Sequence, residues 1–348
     1  MAAPHPLAEM IELVAPRLDA ALISRDNIDR IIALSRDVPH WQCAGFECRL
    51  GEADPGADFG IHVRRRDGLA GPAASPSPDA WRRLEQFSRQ WTAARSLLAL
   101  AIPAVSLEYD VSDPHASPQT APSVFFSIHP GPCHPRQSSS DSVAGACHTV
   151  VKTVLEALGV PSAHADETLD RCCRVLLPRV PFLQFGVWLT RSLTTFRVCA
   201  PGLPLSEIRP VVRELGWLGP ADAYAARWRD LSSFTDRVSL HLDVGERVGP
   251  RLGVEVGFAE ASAAFDPHDP DDTRFCDYLV NTGLCLPEKR DALFNWVGGF
   301  RLRSPADADS SDLFLRTISH IKLVYQPYRA PQAKAYLAVG YVPSGIEH

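Results

Sequence analysis

The sequence predicts an α+β fold in which one ten-stranded antiparallel β-barrel is surrounded by helices. Strand-like segments occur in five pairs, and most of them alternate apolar and polar residues with a period of two. Helix-like segments separate each pair from the next. Because a short turn joins the two strands of each pair, they should run antiparallel. Closure into a barrel would then remove unpaired sheet edges.

The five strand pairs are spread over most of the chain. Their predicted ranges are 46–50 with 59–63, 105–111 with 123–128, 182–190 with 195–199, 238–244 with 252–258, and 320–325 with 333–341. No linker of distinct composition separates them. We therefore expect one barrel domain over 1–348, with the N-terminal segment 1–40 forming helix that packs outside the barrel.

Helical periodicity fills the stretches between the strand pairs. The predicted helices are 6–36, 81–98, 145–158, 204–216, 272–282 and 288–298. Pro210 is compatible with a helix only in its first turn. Asp271, Asp272 and Thr273 superficially resemble an aspartate-rich metal–diphosphate motif, but after a proline-broken loop they fit an N-cap and first helical turn better.

Bulk composition narrows the class of protein. The net charge of −6 and the absence of a basic stripe argue against a nucleic-acid partner. No apolar run reaches membrane-spanning length, and the N-terminus lacks a signal-peptide pattern. Nine cysteines, mostly in strand or helix segments, fit buried thiols in a reducing compartment. We expect a cytoplasmic protein without a membrane partner.

The alternation within each strand predicts which side chains face the barrel interior. If the apolar positions face the helices, the polar positions face inward. The predicted inward ionisable or phenolic side chains are Glu108, Asp110, Arg197, His241, Asp243, Glu255, His320, Lys322, Lys334 and Tyr336. Buried charges are costly unless they are paired, hydrated or bound to a ligand, so this pattern favours a cavity. The alternative is an open sheet whose polar face meets bulk solvent.

This organisation resembles the aromatic prenyltransferase barrel, also called the ABBA or PT-barrel fold. Two local motifs add to the resemblance: Ser106-Leu107-Glu108-Tyr109-Asp110 is similar to the strand motif that carries the proton-accepting carboxylate in fungal-type indole prenyltransferases, and Lys334-Ala335-Tyr336 matches the family's Lys-x-Tyr pattern. The resemblance implies transfer of an isoprenoid from its diphosphate to an aromatic small molecule or peptide side chain, in secondary metabolism.

The resemblance also implies roles for individual residues. Lys322, Lys334, Tyr336 and Arg197 would hold the diphosphate, because cations stabilise the charge on the leaving phosphates. Glu108 would be the catalytic base, with Asp110 as its partner. The remaining inward side chains would shape the acceptor site; they are His241, Asp243, Glu255 and His320. No cofactor is required and no protein metal site is predicted, although Mg²⁺ could bridge carboxylate and phosphate.

Two departures from the family pattern leave other functions open. The Lys/Arg-x-Tyr pattern is not repeated on the strands around Arg197, and Asp110, Asp243 and Glu255 would oppose a bare diphosphate. One alternative is a non-catalytic barrel that binds a peptide or small molecule. Another is a barrel enzyme that uses Glu108 for acid–base chemistry other than prenylation. The sequence has no glycine-rich phosphate loop, serine elbow or HExxH motif, which argues against nucleotide kinases, serine hydrolases and zincins.

Overall fold

The computed structural model describes residues 6–38, 41–71, 77–112, 121–129, 140–189, 195–257, 265–304 and 307–342. The strands in these segments are β1 (Cys43–Arg49), β2 (Ala57–Arg64), β3 (Ala104–Tyr109), β4 (Ser123–Ile128), β5 (Leu183–Trp188), β6 (Phe196–Pro204), β7 (Arg237–Val244), β8 (Val248–Gly257), β9 (Gly298–Ser304), β10 (Asp307–Tyr325) and β11 (Gln332–Val342).

Ten of these strands close into one antiparallel barrel. The sheet order is β11-β1-β2-β3-β4-β5-β6-β7-β8-β10-β9, and a further pairing of β10 with β11 completes the ring. At the closure, Glu47 of β1 pairs with Tyr336 of β11. The remaining strand, β9, lies outside the ring and pairs with the first half of β10. The predicted closed ten-stranded barrel is therefore confirmed.

Helices connect the hairpins. They are α1 (Leu7–Val14), α2 (Arg25–Ser35), α3 (Pro78–Thr92), α4 (Leu97–Ala101), α5 (Ser140–Ala157), α6 (Asp166–Leu176), α7 (Ile208–Glu214), α8 (Ala221–Leu231), α9 (Pro270–Asn281) and α10 (Pro287–Trp296). The outward strand face is apolar and fully buried, as Phe46 and Phe59 illustrate. Phe46 meets Trp296 of α10 edge-on, with ring centroids 6.1 Å apart. Burial of this outer face leaves the polar face inside the barrel.

Local details agree with the helix signals. Pro210 is the third residue of α7, inside its first turn. Asp269 caps α9 by accepting a hydrogen bond from the backbone N–H of Asp271, and Asp271 and Asp272 lie in the first turn. These carboxylates therefore serve a helix N-terminus, as expected, although the cap lies two residues earlier than Asp271.

The sequence-based prediction is wrong or incomplete at several elements. The single helix over 6–36 is two helices, because Pro16 and a short 3₁₀ turn end α1, and Ser24 then caps α2. The prediction missed β9, α6 and α8, and it began β10 at His320 instead of Asp307. The start of β10 carries Asp and Ser residues typical of loops. Its pairing with both β9 and β11 outweighs that local preference.

A candidate active site in the barrel lumen

The lumen is lined by alternate residues of the ring strands. In β3, Val105, Leu107 and Tyr109 are buried beneath the helices, whereas Ser106 and Glu108 are partly accessible from the inside. The same alternation brings most of the predicted site residues together. They form three hydrogen-bonded groups, centred on Asp243, His241 and Glu47.

The first group is a cluster of arginines around Asp243. Arg197 lies opposite Asp243 in the β6–β7 ladder. It donates to Oδ1 of Asp243 from Nε at 2.9 Å and from Nη2 at 2.7 Å. Arg251 Nη1 lies 3.9 Å from Oδ2 of the same carboxylate. A cavity of about 10 Å³ remains among these side chains, room for about one water molecule. Asp243 thus neutralises part of an otherwise cationic corner.

The second group links Lys322 to two histidines and Glu255. Lys322 Nζ lies 2.8 Å from His241 Nδ1, and His241 Nε2 lies 2.9 Å from Glu255 Oε2. His320 Nε2 is 3.4 Å from the same Glu255 oxygen. Burial and the ammonium of Lys322 lower the pKa of His241 to about 4. His241 is therefore neutral near pH 7 and accepts a hydrogen bond from Lys322.

The third group is centred on Glu47, which is absent from the sequence-predicted site. Its carboxylate is contacted by the ammonium of Lys334 and the hydroxyl of Tyr336, both on the neighbouring β11. Burial would raise the pKa of Glu47, but the charges of Lys334 and Lys322 and the two hydrogen bonds lower it to about 2. The alternation in β1 could have identified Glu47 from the sequence, because Phe46 and Cys48 face the helices and the residue between them must face inward.

A cavity of about 250 Å³ opens beside the third group, on the β11-β1-β2-β3 wall. Its lining includes Glu47, Glu108, His62, His320 and Tyr336. The His320 and Tyr336 rings stack with centroids 3.9 Å apart, so they present one flat wall. Small residues face the cavity on β1, β2 and β11; among them are Gly45, Gly60 and Ala338. Their size leaves room for a small aromatic group.

Glu108 is the ionisable side chain whose surroundings best suit proton transfer. Among the described residues, no side chain pairs with its carboxylate by hydrogen bond or ion pair. Burial and the negative charge of Glu47 raise the pKa of Glu108 to about 7. A carboxylate with this pKa can accept a proton efficiently near neutral pH.

Asp110 is the one predicted catalytic residue that the structure does not bring into the lumen. β3 ends at Tyr109, so the alternation that would turn Asp110 inward stops one residue earlier. Asp110 is exposed and does not line the cavity that contains Glu108. Asp58 on β2 takes the neighbouring position instead, lining the cavity and accepting a 2.7 Å hydrogen bond from Ser112.

The described residues contain neither a ready metal site nor a membrane-spanning helix. No group of three or more His, Cys, Asp or Glu side chains within them is arranged to hold a metal ion. In the same part of the chain, every helix is too short or too polar to cross a bilayer.

No protein-family model matches the sequence, and no curated protein matches it significantly. Solved structures do match. The PriB complex with product diphosphate is 14% identical, with 95% of this chain and 96% of that chain covered and a TM-score of 0.51. The apo form of the prenyltransferase PriB is 12% identical, with 97% of this chain and 96% of that chain covered, and its TM-score is also 0.51. A 5-dimethylallyltryptophan synthase from Streptomyces coelicolor is 15% identical, with 95% of both chains covered and a TM-score of 0.49.

These matches extend over almost the full length of the chain. At 14% and 12% identity, the two PriB structures establish the fold and leave the activity to be argued from the site. The predicted resemblance to the aromatic prenyltransferase barrel is confirmed at the level of the fold.

Proposed function

We propose that this protein is a prenyltransferase that moves an isoprenoid from its diphosphate to an electron-rich aromatic acceptor, either a small molecule or a peptide side chain. The observation that carries the proposal is the placement of Glu108. Its carboxylate, unpaired among the described residues and with a pKa of about 7, faces a 250 Å³ cavity inside a barrel whose adjacent walls carry lysine and arginine. This arrangement places a base and a group of cations on adjacent walls of one barrel.

The donor diphosphate would occupy the side of the lumen that carries the cations, after these side chains move apart, because the cavity among them has room for about one water molecule. Lys322, Arg197 and Arg251 approach each other from β10, β6 and β8, and Lys334 lies next to Lys322 across the β10–β11 ladder. Cations fixed around the leaving phosphates stabilise the negative charge that develops as the allylic C–O bond breaks. PriB, whose structure has the same fold, forms a complex with its product diphosphate, which supports a diphosphate as a ligand of this barrel.

The acceptor would occupy the cavity beside Glu108. Its π electrons form the new bond to C1 of the isoprenoid, while the electrons of the C1–O bond leave with the diphosphate. The acceptor then releases a proton, which passes to the Glu108 carboxylate. The stacked rings of Tyr336 and His320 line the same cavity, and a π face next to the allylic cation would stabilise it.

The ion pairs in the lumen favour a second candidate, a barrel that binds its ligand without diphosphate chemistry. Arg197 is held by Asp243, and Lys334 is held by Glu47. A diphosphate must displace these carboxylates or arrive with Mg²⁺ to offset their charge. We favour donor binding without an added metal, because Lys322 has no carboxylate partner among the described residues.

Calorimetric titration with the thiolodiphosphates of dimethylallyl and geranyl alcohol, each with and without Mg²⁺, tests the two candidates. The prenyltransferase proposal expects micromolar binding that is lost when Lys322 and Lys334 are both changed to Ala, and turnover should disappear in the same variant. If neither analogue binds the wild-type protein under any of these conditions, the donor assignment is wrong and the non-prenyl binding barrel becomes the better account.

A cytoplasmic location also belongs to this proposal. The eight described cysteines are all free thiols, and seven of them are buried. Free buried thiols are typical of proteins that work in a reducing compartment.

A further inference from the structure

Lys322 differs from the other lumen cations in how its charge is balanced. Arg197 and Lys334 each contact a carboxylate directly. Lys322 contacts the imidazole of His241 instead, and no described carboxylate lies within ion-pair distance of it. A diphosphate that reaches the buried ammonium of Lys322 would therefore not have to displace a carboxylate from it.

The contacts of His241 fix its tautomer. A neutral imidazole donates from one nitrogen and accepts at the other. Nε2 lies 2.9 Å from the acceptor-only carboxylate of Glu255, so Nε2 carries the hydrogen. Nδ1 then carries a lone pair, and it accepts a hydrogen bond from Lys322 Nζ at 2.8 Å. The side chains form a continuous chain of hydrogen bonds from Glu255 through His241 to Lys322.

Neighbouring polar groups agree with this tautomer. Ser239 Oγ lies 3.1 Å from Nε2 and can share its hydrogen, and Cys199 Sγ lies 3.2 Å from Nδ1 and can donate weakly to it. Gly253 makes the geometry feasible, because a Cβ there would lie 2.8 Å from Lys322 Cε and 3.0 Å from His241 Cβ. The glycine leaves the space through which the lysine stem reaches the histidine.

We propose that Glu255 and His241 are positioning residues, which keep Lys322 charged and aimed at the donor's phosphates. Glu255 contributes a negative charge behind the histidine, and His241 contributes the acceptor that fixes the direction of Lys322 Nζ. This inference rests on the proposed function for its ligand, but the geometry and charge state of Lys322 can be tested without any ligand.

The charged and titratable groups around Lys322 come from several strands. They are Glu47 on β1, Glu108 on β3, Arg197 and Cys199 on β6, His241 and Asp243 on β7, Arg251 and Glu255 on β8, His320 on β10, and Lys334 and Tyr336 on β11. Burial and Arg197 lower the pKa of Lys322, whereas Glu255, Cys199 and Glu47 raise it. Removal of the Glu255 charge should therefore let Lys322 lose its proton at lower pH.

The chain has four lysines, which makes the measurement direct: Lys152, Lys289, Lys322 and Lys334. Protein labelled with ¹³C and ¹⁵N at lysine would give four side-chain signals, and Lys322→Arg would assign the one of interest. The Lys322 titration midpoint should move to lower pH in Glu255→Gln, whose amide oxygen still accepts from His241. Asp58→Asn, which removes a lumen carboxylate paired with Arg49, should leave the midpoint in place.

A pair of His241 variants tests the orientation of Lys322 separately from its charge. His241→Gln can still accept from Lys322 through its amide oxygen, whereas His241→Leu cannot. We expect His241→Gln to keep the wild-type affinity for inorganic pyrophosphate within a small factor, and His241→Leu to lose about tenfold. An unchanged Lys322 midpoint in Glu255→Gln, or equal affinities for the two His241 variants, would overturn the proposal.

These measurements distinguish a failure of the proposed function from a failure of the positioning role of Glu255. If wild-type protein binds no pyrophosphate while the Lys322 midpoint still shifts in Glu255→Gln, the hydrogen-bond chain is real and the prenyl donor assignment is wrong. If pyrophosphate binds but the midpoint does not shift, the proposed function stands and the positioning role of Glu255 is rejected.

Discussion

In addition to burial, the negative charge of Glu47 raises the pKa of Glu108, although the two carboxyl groups lie on different strands. Both line the cavity on the β11-β1-β2-β3 wall. Glu47 stays ionised because Lys334 and Tyr336 contact it, whereas Glu108 has no such partner among the described residues. Two carboxyl groups that line one cavity thus have different pKa values, because only one of them has hydrogen-bond partners. This difference fits a structural role for Glu47 and a role as base for Glu108.

The first prediction concerns the pH dependence of turnover. Glu108 accepts a proton only when it is ionised, so kcat/KM should rise with pH through a midpoint near 7, the pKa of Glu108. Glu108→Gln should lower kcat by about 10²-fold or more while analogue binding by calorimetry stays intact. Asp110→Asn is the control, because Asp110 is exposed and outside the cavity, and it should retain activity. Equal losses in both variants would contradict the assignment.

The second prediction concerns stability. The pKa of Glu108 is raised from 4.5 to about 7 in the folded protein, so the folded state binds this proton more tightly than the unfolded state. The free energy of unfolding should therefore decrease as pH rises from about 4.5 to 7. Glu108→Gln removes this loss and should be more stable than wild type at pH 8, by up to about 3 kcal/mol.

Urea unfolding of both proteins at pH 5 and pH 8 measures the effect. The stability difference should be small at pH 5 and larger at pH 8. The exposed Glu12→Gln on α1 provides a control that should show little difference at either pH. A Glu108→Gln protein that is no more stable than wild type at pH 8 would mean that the carboxyl is not destabilised by its surroundings.

The barrel was predictable from sequence because the strand alternation is regular where one face packs on helices. That pattern alone also places Glu108, His241 and Glu255 inside the lumen, where the structure has them. It failed at Asp110, since a strand end cannot be read from alternation alone and β3 stops at Tyr109.

The hydrogen bonds of the site could not be read from the sequence. Glu47 lies 289 residues from Tyr336, and only closure of the barrel between β1 and β11 brings them together. The neutral state of His241 likewise depends on burial inside the closed barrel and on Lys322, which lies 81 residues away. Sequence alternation gives the face of each side chain, whereas pairing and protonation depend on the ring order of the strands.

The third prediction concerns the ion pair between Lys334 and Glu47. Lys334→Met should destabilise the protein by about 2–3 kcal/mol, because it leaves a largely buried carboxylate without its cation. The two side chains keep 13% and 17% of their exposure, which limits the loss. Adding Glu47→Gln to Lys334→Met should restore most of the stability, since the charge itself is then gone.

A double-mutant cycle in urea measures this coupling. Additive effects of the two substitutions would show that the contact does not contribute to stability. Diphosphate-analogue binding provides a second readout: if Lys334 also contacts the donor, the double variant should regain stability without regaining affinity.

The fourth prediction uses two glycines on β8 that face the same side of the strand. Gly253→Ala should weaken binding of the dimethylallyl thiolodiphosphate by about tenfold, because a Cβ there would lie 2.8 Å from Lys322 Cε and must displace the lysine from His241. Gly257→Ala is the matched control, since no described heavy atom lies within 4 Å of its Cβ position. Gly253→Ala should unfold at a somewhat lower urea concentration than Gly257→Ala, because the lysine stem can move aside but His241 Cβ, 3.0 Å from the new methyl group, is fixed to the backbone. If Gly253→Ala binds the analogue as tightly as Gly257→Ala does, Lys322 does not hold the diphosphate from its place beside His241, and the donor site must lie elsewhere in the lumen.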